Sequence, residues 1–240
     1  MRYTVKQVQR ALNKHGYNLD PDGVMGPKTE KAISDFKGRN GLRRRPLIGL
    51  LTAELLFGKA KPRRGKGEAD FPPWVNELGR HMYLHEARDK AELTAWLKSD
   101  GAFLGDPAKF PWCGDAMQTA IRLTLPKEPF PGALGQNPYW ARNWALLGRE
   151  TKLKLGAMVV LTRGNGGHIG TAVGWDPKRK LIRCRGGNQS NTINDTWVDG
   201  TPVSQGGRLL ALREPVTYGK TLPAIPIMNS EGQVISTNEA

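Results

Sequence analysis

LGAMVVLTRGNGGHIGTAVGWDPKRKLIRCRGGNQ, residues 155–189, alternates short apolar runs with glycine-rich turns. Runs of this length bounded by Gly, Pro and Asn read as strands rather than helices. The segment therefore predicts strands at Leu155 to Thr162, His168 to Trp175 and Lys180 to Gly186, followed downstream by Asn194 to Val198 and Arg208 to Arg213. Upstream the period changes. Trp74 to Tyr83, Ala91 to Lys98, and Ala116, Met117, Ala120 and Ile121 after Pro111 carry helical spacing. Helices first and consecutive strands afterwards predict an α+β domain over residues 73–214, with helices packed on an antiparallel sheet.

The first 58 residues read differently. Val5, Val8 and Leu12, then Ala32, Ile33 and Phe36, then Leu51, Leu55 and Leu56 predict a small domain of three short helices. Thr4 is placed to cap the first, Pro27 suits the first turn of the second, and Asp20-Pro21-Asp22-Gly23 between them is a turn by composition. Gly26-Pro27-Lys28-Thr29 and Gly49-Leu50-Leu51-Thr52 repeat one pattern, a turn glycine three residues before a threonine expected to open a helix. Residues 59–72 form a basic linker rich in Lys, Arg, Pro and Gly. Residues 215–240, polar with Pro223 and Pro226, are expected to be a loosely held tail.

Lys and Arg number 36 against 22 Asp and Glu, a net charge of +14. Such a chain is drawn to polyanions, whether nucleic acid, anionic lipid or cell-wall polymer, and charge alone does not choose among them. No stretch approaches the ~20 apolar residues of a membrane helix, and the opening residues lack the apolar core of a signal peptide, so synthesis in the cytoplasm is expected. The two cysteines, Cys113 and Cys184, stand in unrelated contexts and read as free thiols.

Cys113, in Phe110-Pro111-Trp112-Cys113-Gly114-Asp115, directly precedes an amphipathic helix, whose positive end favours a thiolate. A buried structural cysteine is the competing reading. His168 opens a strand in which it shares a face with Gly170, Ala172 and Gly174, small residues that leave room for a substrate. Asn188, in Gly186-Gly187-Asn188-Gln189-Ser190, ends the next strand, where an antiparallel neighbour returns beside His168, although composition alone reads it as a turn. A cysteine hydrolase needs a thiol, a base and a polar group that fixes the base's tautomer. Cys184, mid-strand beside Ile182, is the second choice of nucleophile.

The order of helix-start Cys, strand-start His and next-strand Asn is the layout of papain-like folds. Pro-Trp-Cys, Gly-Gly-His-Ile-Gly and Gly-Gly-Asn-Gln-Ser, between Phe110 and Gln189, resemble the CHAP and NlpC-type superfamily of peptidoglycan amidases and endopeptidases, particularly a branch found in phages. The resemblance implies a papain-like catalytic domain with Cys113 as nucleophile, His168 as general base and Asn188 as orienting group. Many CHAP enzymes carry glutamate at the third position, so that role could fall to Gln189 instead. The backbone N–H of Cys113 is the expected oxyanion donor, and Trp112 is a candidate substrate contact.

Val8-Gln9, Leu12, Gly16-Tyr17, Asp22-Gly23, Gly26-Pro27, Thr29, Ala32 and Phe36 resemble a three-helix peptidoglycan-binding domain. That resemblance implies glycan or peptide contacts at Asp22, Gly23 and Thr29. Together the two imply a monomeric endolysin that cuts an amide of the murein stem or the muramoyl-L-alanine link. It would wait in the host cytoplasm until released to the wall. An interbacterial effector or a tail-associated lysin would use the same chemistry. A DNA-binding reading, resting on Arg43-Arg44-Arg45 and Arg63-Arg64, leaves the Cys-His-Asn order without purpose, so no nucleic-acid partner is expected. His81 and His85, four apart beside Glu86, lack a third ligand at recognisable spacing, and neither metal nor cofactor is expected.

Overall fold

The computed structural model describes residues 3–39, 45–58, 71–231 and 235–236. The chain forms two compact units, Met1–Ala69 and Asp70–Ala240. In the first, Thr4 Oγ1 accepts the Gln7 N–H and Gln7 Oε1 accepts the Thr4 N–H, a capping box that starts α1 (Val5–Lys14). Pro27 opens α2 (Pro27–Arg39), where its missing N–H costs nothing, and Gly49 caps α3 (Leu50–Phe57). Thr29 and Thr52 thus lie inside the first turns of their helices rather than opening them. Val8, Leu12, Ala32, Ile33, Phe36 and Leu56 form one buried cluster. Residues 40–44 and most of the basic linker lie outside the described residues, and with them Arg43-Arg44 and Arg63-Arg64.

The second unit begins with α4 (Pro73–Arg80), α5 (Lys90–Leu97), α6 (Cys113–Thr124) and α7 (Gly132–Gln136), then a 3₁₀ segment, Ala141–Leu146. Six strands follow: β1 (Arg149–Glu150), β2 (Met158–Arg163), β3 (Gly166–Asp176), β4 (Leu181–Gln189), β5 (Thr192–Asp199) and β6 (Leu209–Glu214). They form one sheet, ordered β1-β6-β2-β3-β4-β5, with every pair antiparallel. The expected α+β class and sheet direction hold. The short α7, the 3₁₀ segment and β1 were not expected from periodicity, since each is too brief to show one.

Residues Cys113 to Ile121 are all buried, so α6 is the central helix of the unit rather than an amphipathic surface one. It packs with Trp74, Leu78, Leu93, Trp144, Val160, Ile169 and Val173 on one side of the sheet. Val159, Leu161, Ala172, Ile182, Cys184 and Val198 form a second cluster on the opposite face. Trp74 Nε1 donates to the Gly156 carbonyl at 2.9 Å, pinning α4 beside the start of β2.

The expectation of a loose tail is corrected for its described part. Trp175 exchanges backbone hydrogen bonds with Pro226 and Met228, adding a parallel bridge at Ile227 to β3. Asp176 Oδ2 accepts from both the backbone N–H and the hydroxyl of Ser230, and these bonds hold its carboxyl down to about pKa 2. Glu128 accepts from the backbone N–H groups of Val216 and Thr217. Backbone pairing at Trp175 and the carboxylates of Asp176 and Glu128 together carry this attachment, and composition does not report it.

Candidate active site

Trp112 is the N-cap of α6, its carbonyl accepting the Ala116 N–H at 2.9 Å, so Cys113 is the first helical residue. The first N–H groups of a helix have no partner within it. Gly114 makes this end compact: a β-carbon there would collide with the carbonyls of Pro138 and Tyr139, whose segment crosses the first turn. Trp140, the next residue, is 45% exposed, and Phe110 is 47% exposed three residues before Cys113. Two accessible aromatics therefore stand on the segments that flank the thiol.

Burial pushes the Cys113 thiol up from its ordinary value, while the N–H groups of Ile169 and Gly114 and the charge of Arg163 pull it down; burial prevails. The expectation of a thiolate at rest is thereby corrected. Helix polarity acts here, but desolvation of the charged form outweighs it. The sulfur rests as a thiol and needs a base to take its proton.

The β2–β3 register sets His168 opposite Leu161 and Ile169 opposite Val160. Pleating turns Ile169 towards Trp112 and Cys113, and His168 towards the face of Leu161 and Cys184. The Cys113 sulfur lies by the peptide that joins His168 to Ile169, whose N–H acts on it. Gly186 leaves room for the imidazole: a β-carbon there would stand 3.3 Å from His168 Nε2.

His168 Nε2 lies 3.0 Å from Gln189 Oε1. The Gln189 amide has one orientation, since its Nε2 donates to the carbonyls of Asn194 (2.6 Å) and Cys184 (3.3 Å), which can only accept. Its oxygen thus faces the ring, His168 Nε2 carries the hydrogen, and Nδ1 is the basic nitrogen. This corrects the placement of Asn188. Continuing the β3–β4 pairing of Thr171 with Arg185 would set Asn188 opposite His168. Instead Asn188 adopts φ +54°, and the register with β5 shifts between Gly186 and Gln189, which brings Gln189 to the ring.

Of the other expected contacts, Trp112 and Thr29 are buried while Asp22 and Gly23 are exposed. Trp112 is 1% exposed, donates from Nε1 to Glu86 Oε2 at 2.9 Å and packs on Gly187, so it is a wall of the core rather than a substrate platform. Thr29 is buried, and Gln9 binds the predicted turn: its Oε1 accepts the Gly23 N–H, and its Nε2 donates to Asp22 Oδ1 and to Thr29 Oγ1. Bonds from Val24 and Gln9 hold the Asp22 carboxyl below its usual value. His81 stacks on Trp96 and bonds Glu77 Oε1, while His85 Nδ1 accepts the Ala87 N–H. Among the described residues, no group of three or more His, Cys, Asp or Glu side chains could hold a metal ion, and no helix is long and apolar enough to cross a membrane.

The second unit is thus of the α+β class; the imidazole of His168 and the amide of Gln189 meet where β3 and β4 lie side by side, while the Cys113 sulfur at the start of α6 lies by the Ile169 N–H. In the first unit, residues 2–44 match the model of the putative peptidoglycan binding domain, an N-terminal domain that fits an endolysin-like protein and points to the cell wall. No curated protein and no solved structure matches the chain.

Proposed function

We propose that the protein is a peptidoglycan hydrolase of the endolysin kind: the first unit holds the murein and the second cleaves an amide of its stem peptide or the muramoyl-L-alanine link. The observation that carries the reading is the locked Gln189 amide, which orients the His168 ring and commits its Nε2 to donating. The match of residues 2–44 supplies the substrate class.

In this account Cys113 Sγ attacks the amide carbonyl carbon while His168 Nδ1 takes the thiol proton. The C–N bond then breaks, the proton passes from His168 to the departing amine, and water hydrolyses the thioester to a carboxylic acid and free thiol. The resting thiol calls for proton removal in step with attack. The Cys113 N–H at the helix start serves the oxyanion. Holding the polymer through the first unit raises the local concentration of scissile bonds.

Purified sacculi incubated with the protein test the reading. New amino termini, identified by mass spectrometry and absent with Cys113→Ala, are expected. Intact sacculi after prolonged incubation with the wild-type chain would overturn it.

A further inference from the structure

We infer that Arg142 is a positioning residue of the active site: its guanidinium fixes the tip of the β2–β3 hairpin, which presents Arg163 and His168, to the segment that crosses the helix start of Cys113. The inference rests on the hydrolase reading and adds a residue on which the rate depends. Arg142 lies on the 3₁₀ segment Ala141–Leu146 and is partly buried. Its Nε donates to the Gly166 carbonyl at 2.6 Å and its Nη2 to the Gly164 carbonyl at 2.5 Å. A planar guanidinium fork suits two acceptors held at a fixed spacing. The stem of the side chain lies over Gly167, where a β-carbon would stand 3.0 Å from Arg142 Cγ and 3.5 Å from Ala141 Cβ.

The place of these carbonyls gives the contact its meaning. Arg163 pairs with Gly166, so Gly164-Asn165 is a two-residue hairpin loop, entered at a Gly164 φ of +50°. Loop ends of this kind are among the first parts of a fold to open. His168 follows two residues after Gly166, and Arg163, on the other strand, is the residue whose charge acts on the Cys113 sulfur. On the opposite side, the carbonyls of Pro138 and Tyr139 cross the first turn of α6 at Gly114. Trp144 Nε1 donates to the Pro138 carbonyl at 2.8 Å and ties that crossing back to the 3₁₀ segment. Residues 138–144 thus touch both the helix of the thiol and the hairpin of the imidazole, and Arg142 makes the polar tie to the second. Arg213 makes the same two-carbonyl contact elsewhere, Nε to Leu147 at 2.7 Å and Nη2 to Gly148 at 3.0 Å, where neither end carries a site residue.

The test compares Arg142→Ala with Arg213→Ala in muropeptide turnover by the full chain, with urea unfolding to report the stability each loses. Each removes two hydrogen bonds to backbone carbonyls, so the two should lose similar stability. We expect Arg142→Ala to lower kcat about tenfold to a hundredfold, as a displaced reacting group does, with KM within about twofold, and Arg213→Ala to keep kcat within about threefold. Guanidinium chloride below its denaturing range should restore part of the kcat lost in Arg142→Ala, and sodium chloride at the same ionic strength should not. Arg142→Lys keeps the stem over Gly167 and the charge but offers one ammonium to two carbonyls; its kcat should fall between, and it carries the comparison should Arg142→Ala not fold. Equal effects of the two alanine substitutions on kcat, or no recovery with guanidinium beyond that with sodium chloride, would overturn the inference while sparing the hydrolase reading. Absence of turnover by the unsubstituted chain would overturn both.

Discussion

Asp115→Asn should change how the second unit's stability depends on pH. Asp115 lies on α6 two residues after Cys113 and is fully buried. Its Oδ2 accepts the Leu104 N–H at 3.1 Å, whereas Oδ1 has no hydrogen-bond partner. Burial pushes its pKa from 3.8 up to about 7, opposed by the Leu104 N–H and assisted by the charge of Asp100. Between those two values the folded chain holds a proton that the unfolded chain has lost, so stability falls as pH rises through the interval. About three pKa units at ~1.4 kcal/mol each give an upper bound of about 4 kcal/mol. Asparagine keeps an acceptor for Leu104 and never ionises. The variant should therefore match the wild type near pH 4 and exceed it by about 2–4 kcal/mol near pH 8. Urea unfolding followed by tryptophan fluorescence reads this unit selectively, because all 7 tryptophans lie between Trp74 and Trp197. A stability difference of the same size at both pH values would refute the reasoning.

Three further substitutions probe the site. Gln189→Leu removes the group that sets the tautomer of His168, so kcat for muropeptide hydrolysis should fall about 10²–10⁴-fold with little change in KM; an unchanged kcat would show that the amide does not position the ring. Gly187→Ala would place a β-carbon 2.5 Å from that of Ala116 and 2.7 Å from Trp112 Cζ3, and thermal or urea unfolding should register a loss of about 1–3 kcal/mol from overpacking. Trp112→Phe leaves Glu86 Oε2 without its 2.9 Å donor, and should cost about 1–3 kcal/mol with no selective rise in KM, whereas a KM effect alone would restore Trp112 as a substrate contact.

Much of the architecture could be read in advance because period carries it. Ala116, Met117, Ala120 and Ile121 marked α6, and the Gly-bounded apolar runs marked five of the strands to within a few residues. What escaped has local causes. Strand alternation assigned Asn188 to the imidazole, but parity fails at a left-handed residue, and Asn188, Ser190 and Asn191 all adopt positive φ. The turn-like composition of Gly-Gly-Asn-Gln-Ser-Asn was the available signal. Trp112 precedes its helix, so no periodicity announced its burial. The binding of exposed Asp22 and buried Thr29 to one side chain depends on Gln9, 13 and 20 residues away in sequence, a polar contact that a pattern of apolar positions does not encode. The tail is attached by backbone hydrogen bonds to Trp175 and by the distant carboxylates of Asp176 and Glu128, neither of which the tail's own composition registers.

The central claim is that Cys113, rather than Cys184, is the nucleophile served by His168. Neither is in a disulfide and both are buried; Cys184 is 0% exposed among aliphatic side chains on the face His168 shares, whereas Cys113 has a helix start and three backbone N–H groups acting on its sulfur. The most direct measurement is muropeptide turnover by Cys113→Ala and Cys184→Ala side by side, each with its fold verified by circular dichroism. The account predicts that Cys113→Ala abolishes turnover while Cys184→Ala keeps it within about threefold of wild type, in line with loss of a nucleophile against loss of a packing group. Turnover that survives in Cys113→Ala and vanishes in Cys184→Ala would contradict it.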